Sequence, residues 1–169
     1  MGRLVTDRWS IELPDGWTAD RSGERIQLIP ASSTARVVVS DLQLELSQPT
    51  PEIVVSSLRS LLDGAKATTD RVEHPPTSTD DGRLVALGEG KGVQGFCSAT
   101  AQAWPGTVLL VSLFQVDDSP SVRHEASAIF NSVRRVESQQ ASEREPERES
   151  ETEPEPAKKK SLLGRLIRR

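Results

Sequence analysis

The sequence predicts an α+β fold, an antiparallel β-sheet packed by two main helices, and three observations support that prediction. The first is the run Val108-Leu109-Leu110-Val111-Ser112-Leu113-Phe114-Gln115-Val116, bounded by Trp104-Pro105-Gly106-Thr107 and Asp117-Asp118-Ser119-Pro120. A run this apolar needs cover on both faces, so it reads as a central strand; its β-branched and Phe content favours the pleat, and it is far short of the roughly 20 residues a membrane-spanning helix needs. The second is the strict alternation of Trp9-Ser10-Ile11-Glu12-Leu13, the pattern of a strand with one wet side. The third is a pair of helical stripes, Val54, Leu58, Leu61 and Leu62 in one stretch and Val122, Ala126, Ile129, Phe130 and Val133 in another.

In chain order, the strand at Trp9 ends in Pro14-Asp15-Gly16, a turn in which Pro presets φ, Asp bonds its own backbone and Gly accepts a positive φ. Trp17 then folds back onto the sheet. A short strand over 25–29 ends at Pro30, and a longer one follows over 36–46, with Val38, Leu42, Leu44 and Leu46 expected on the core face and Asp41, Gln43 and Glu45 in water. The first helix opens at Thr50-Pro51-Glu52, a hydroxyl cap, a first-turn Pro and an acid near the positive end of the dipole, and ends at Gly64. A weak strand over 67–74 precedes a polar loop from Pro75-Pro76 to Asp81-Gly82. Strands over 83–89 and 93–104 then pair as a hairpin and lead into the central strand, and the second helix begins near Asp118 or Ser119.

Charge divides the chain into three parts. Residues 1–136 carry 13 Lys/Arg against 17 Asp/Glu, residues 137–156 carry two Arg against eight Glu, and residues 157–169 carry six cations and no acid. We therefore expect one α+β domain over 1–136, a disordered, self-repelling Glu-rich linker over 137–156, and a basic amphipathic helix over 157–169. The one cysteine, Cys97, permits no intrachain disulfide, and the first residues show no apolar leader run, so a cytoplasmic protein is expected.

The residues Ile11-Glu12-Leu13-Pro14-Asp15-Gly16-Trp17, Ile26-Gln27-Leu28-Ile29-Pro30, Pro105-Gly106 before the central strand, and Ile129-Phe130-Asn131-Ser132-Val133 occur in a telling order. Over residues 8–136 the chain resembles the PsbP-like fold shared by the photosystem PsbP proteins, the bacterial DcrB-related proteins and the Ran-binding nuclear import factor of the Mog family. That resemblance implies an antiparallel sheet with helices packed on it, and binding in place of catalysis. It also implies that a cytoplasmic chaperone for secreted effectors, as among DcrB-related proteins, is a fitting role.

The residues with chemical potential are few. Gly90-Lys91-Gly92-Val93-Gln94-Gly95 matches the dinucleotide fingerprint by letter, but that motif works where a strand hands over to a helix, and here strands lie on both sides, so a turn is expected. A nucleophile needs a base in reach. The histidines are His74, beside Pro75, and His124, on the polar side of the second helix; Cys97 lies between Phe96 and Ser98 as a buried structural cysteine would. No metal-ligand spacing is present, so neither catalysis, metal nor cofactor is expected.

Binding is the remaining class. Gly95, Cys97, Ala99, Ala101 and Ala103 alternate along one strand and leave a trough that either a helix of the chain or a partner must fill. Trp17 and Trp104 would flank such a partner face if they are exposed in place of packed in the core. In the tail, Leu162, Leu163, Leu166 and Ile167 share a helical face ringed by Lys158, Lys159, Lys160, Arg165, Arg168 and Arg169, the pattern of a short interfacial helix on an anionic membrane; no aromatic accompanies the basic run, so nucleic acid is not expected. The expected function is a non-catalytic adaptor or chaperone for a secreted or membrane client, peripheral at the inner membrane. Its rivals are a structural subunit of a membrane-associated assembly and a small enzyme using Cys97 or His124.

Overall fold

A computed structural model describes residues 2–21, 25–31, 33–44, 48–72, 75–93, 95–117 and 119–136, with backbone alone for 69–72. The linker and tail expected over 137–169, and His74, lie outside the described residues.

The long apolar run forms strand β10 (Thr107–Gln115), which pairs antiparallel with β5 (Arg36–Gln43) on one side and β9 (Gly95–Trp104) on the other. Outward from β5 come β4 (Ile26–Pro30) and β3 (Trp17–Asp20); outward from β9 come β8 (Leu84–Gly92), then β6 (Thr68–Val72) and the two-residue β7 (Thr77–Ser78). These make one eight-stranded sheet. A second, three-stranded sheet joins β1 (Gly2–Val5), β2 (Trp9–Leu13) and β11 (Arg134–Arg135). The helices are α1 (Pro51–Gly64) and α2 (Pro120–Ser132).

Because side chains alternate along a strand, the register sorts the core into two layers. One face of the large sheet offers Ala86, Cys97, Ala99, Ala101, Ala103, Val108 and Leu110, and α1 packs on it with Val54, Val55, Leu58 and Leu62. The other face offers Val37, Val39, Leu109, Val111 and Leu113, covered by Leu4, Ile11 and Leu13 of the small sheet and by Val122, Ala126, Ile129 and Phe130 of α2. β10 is thus enclosed from both sides, as its run of apolar residues requires.

Two local expectations are revised and one is refined. In β5 the core residues are Val37 and Val39, while Leu42 is 43 % exposed; Leu44, just past the strand, does pack in part against the α1 layer, and Leu46 lies outside the described residues. Alternation shows which residues share a face but not which face is covered, and α1 sits chiefly over β8 and β9, leaving the Val38 side of β5 only half-covered. α1 ends at Gly64 as expected, and a left-handed residue follows at Lys66 (φ 52°). Thr50 occupies the cap position before Pro51 without a side-chain hydrogen bond.

Candidate functional site

The small-residue trough is filled from within the chain. Cys97, Ala99 and Ala101 lie beneath α1, and a Cβ at the neighbouring Gly88 would stand 2.8 Å from Leu62 Cδ1, so small side chains are what let the helix approach. Gly95 serves the backbone instead, since its φ is +107° and a Cβ there would meet the Gln115 carbonyl oxygen at 2.3 Å. Trp17 and Trp104 are buried in the opposite layer. The partner face expected at Trp17, Gly95, Cys97, Ala99, Ala101 and Trp104 is therefore corrected: α1 covers Cys97, Ala99 and Ala101, while Trp17 and Trp104 lie on the opposite face with little of either exposed.

The geometry also separates the groups weighed for catalysis. Cys97 faces α1, whereas His124 is exposed on α2 across the sheet, so the two cannot form a dyad. Burial pushes the Cys97 thiol up to about 11, which leaves little thiolate near neutral pH. The fingerprint-like glycines close a hairpin in which Gly92 pairs with Gly95, with strands on both sides. Among the described residues no group of three or more His, Cys, Asp or Glu could hold a metal ion.

What the sheet does leave open is a groove on the α2 side. Antiparallel pairing sets Val85 opposite Gln102 and Leu87 opposite Thr100, and all four point away from α1. α2 covers β10 but stops short of β8, so a cavity of about 320 Å³ remains between Phe130, Ser127 and Asn131 of the helix and Thr77 and Thr79 near β7. Val85 and Leu87 are half-buried in it, whereas Thr100 and Gln102 form a buried polar floor. The volume falls at the low end of ligand pockets and suits one or two apolar side chains.

Arg83 fixes the end of this groove. Its guanidinium is held at 2.8 Å by Asp81, donates through Nη1 to Gln102 Oε1 at 2.6 Å and to the Val133 carbonyl at 2.7 Å, and Gln102 Nε2 donates to the Phe130 carbonyl at 2.7 Å. The network ties β8 and β9 to the last turn of α2, so the groove width is set by hydrogen bonds as well as by packing. Burial pushes the Asp81 carboxyl up, but hydrogen bonds from Thr79 and Arg83 and the Arg83 charge outweigh it, holding the group below its ordinary value. Thr100 Oγ1 is buried and finds no partner.

Sequence reading missed Arg83, Thr100, Gln102 and Phe130 as a unit. A signal was present, since Ser98, Thr100 and Gln102 alternate with the alanines in a strand whose two sides both needed cover.

No protein-family model matches the sequence, and no curated protein matches it. Among solved structures, the solution structure of cyanobacterial PsbP (CyanoP) from Synechocystis superposes with a TM-score of 0.60 at 14% identity, covering 80% of this chain and 92% of that one. The fold is PsbP-like. LpqN of Mycobacterium tuberculosis, described as involved in cell envelope biogenesis, aligns with a TM-score of 0.49 at 11% identity over 76% of this chain and 83% of its own. A Bacteroides thetaiotaomicron protein aligns at 0.46 and 10% identity over 76% of this chain and 45% of its own. Among the described residues no helix is long and apolar enough to cross a membrane.

Proposed function

We propose that this chain is a non-catalytic protein-binding adaptor or chaperone, in which the groove between β8, β9 and α2 takes an apolar side chain of a secreted or membrane client. The observation that carries this reading is the half-buried pair Val85 and Leu87 beside Phe130, an apolar opening that neither helix closes. Apolar walls give affinity, while Thr100, Gln102 and Arg83 supply fixed polar groups that select the approach. The basic amphipathic segment over 157–169 brings the complex to an anionic membrane surface.

The test is a photo-crosslinking amino acid placed at Leu87 in the full chain, expressed in cells and compared with the same probe at exposed Arg59 on α1. A reproducible client crosslinked from 87 and not from 59 supports the reading; equal, diffuse labelling at both removes it. Liposome co-sedimentation of the full chain against one ending at Val136 tests the tail. Sedimentation confined to the full chain and to anionic vesicles, weakening with salt, is expected.

A further inference from the structure

A second cavity, of about 500 Å³, opens on the far side of Arg83 and is lined by Asp81, Arg83, Trp104, Pro105, Arg134 and Arg135. Three arginines and one carboxylate line it, in a domain whose residues 1–136 carry more acids than cations. Two of the three are not free to move apart. Arg83 Nη1 and Arg134 Nη1 both donate to the Val133 carbonyl, at 2.7 and 2.8 Å, so the two nitrogens lie within the sum of those distances of each other. Arg134 is pinned further by the Asn131 carbonyl at 2.7 Å, and Arg83 by Asp81 and Gln102.

Capping the end of α2 accounts for one nitrogen of Arg83 and one of Arg134. It does not account for holding Arg83 and Arg134 together with Arg135 on the same cavity, since like charges held close raise the local potential unless an anion joins them. Asp81 offsets one charge and leaves an excess of two. That excess matches the charge of a phosphate monoester near neutral pH, whose oxygens fit the guanidinium fork. Pro105, with the small exposed part of Trp104, supplies an apolar wall for whatever carries the phosphate.

We propose that this cavity binds a phosphate monoester group, free in solution or as the headgroup of a phosphatidate-type lipid. The site is preorganised by the Val133 carbonyl, lined also by the exposed Arg135, and distinct from the client groove, with which it shares Arg83 as a wall.

The test uses the full chain with Lys158, Lys159, Lys160, Arg165, Arg168 and Arg169 changed to Gln, so that the tail contributes no cation. Inorganic phosphate is titrated at constant ionic strength against chloride while the indole resonance of Trp104 is followed, and sedimentation is measured with neutral vesicles with and without phosphatidate. A saturable shift of that resonance is expected, at least about ten-fold weaker in R134Q/R135Q. Both of those arginines are exposed, so any fall in melting temperature should be confined to the lost Arg134 bonds to Asn131 and Val133, and R83Q gives the same readout from the third arginine. Vesicle binding lost in R134Q/R135Q assigns the phosphate to a lipid, and phosphate binding without vesicle binding assigns it to a soluble ester. The site is overturned if phosphate gives no saturable shift, or if the shift is unchanged in both arginine variants.

Discussion

Trp17 and Glu125, 108 residues apart in sequence, are joined by a hydrogen bond of 2.6 Å from the indole Nε1–H to the carboxylate Oε2. The contact fastens the edge strand β3 to α2 and satisfies a buried indole that would otherwise lose its water. Trp17→Phe should keep most of the packing and lose the bond to a charged acceptor, lowering stability by about 1.5–3 kcal/mol. Urea unfolding of W17F against E125Q would check this, and the two losses should be far from additive in the double variant.

Gly95 is the least replaceable glycine of the hairpin. An added Cβ would press on backbone at Gln115 and Val116, which cannot swing aside as a side chain can, and the φ of +107° is itself strained for an L-residue. Gly95→Ala should cost at least about 2 kcal/mol. Leu58→Ala beneath α1, a cavity change at a fully buried site, should cost about 2–5 kcal/mol. Thermal melts of the two variants would test both figures.

Cys97 gives the fold an alkaline limit. Its folded pKa, about 11, stands above the ordinary 9.0, so the unfolded chain releases the proton first as pH rises. Stability is unaffected below pH 9, falls between 9 and 11, and levels beyond, with a total loss on the order of 2–3 kcal/mol. Denaturation curves from pH 8 to 11 should show this slope in the native chain and not in Cys97→Ala.

Asp81 sets the matching acid limit. Its lowered pKa means that the stability it contributes is fully present above the ordinary 3.8 and is lost as pH falls through the folded value. Asp81→Asn should flatten that part of the acid profile and loosen Arg83, seen as a downfield or upfield displacement of the Gln102 side-chain amide resonances.

Thr100 offers a sign test for the groove. Its buried hydroxyl has no partner, so Thr100→Val removes an unsatisfied group at nearly constant shape and should raise stability by about 1 kcal/mol. Leu87→Asp, at a half-buried position, should change stability little while abolishing client crosslinking from a probe at Val85.

Much of the fold was legible because its signals are local. The run at Val108, the alternation at Trp9 and the stripes at Leu58 and Ile129 each fix an element from nearby residues. The strand β11 was not legible, since Arg134-Arg135 carries no strand pattern and pairs only because β2 presents an open edge at Trp9 and Ser10. The groove was hidden for a similar reason: Val85, Thr100, Phe130 and Arg83 come from separate elements, and only the register of β8 on β9 brings them together. The alternating alanines do mark a trough, but sequence could not say that Leu58 and Leu62 would fill it.

The pairing of β11 with β2, and the Val136 amide on the Arg8 carbonyl at 2.8 Å, bring the last described residues back to the first. During synthesis the small sheet therefore waits with one edge bare until the ribosome has passed Val136. Until then Trp9 and Ile11 lack part of their cover, and the nascent domain is a substrate for the same general chaperones that any unfinished sheet recruits.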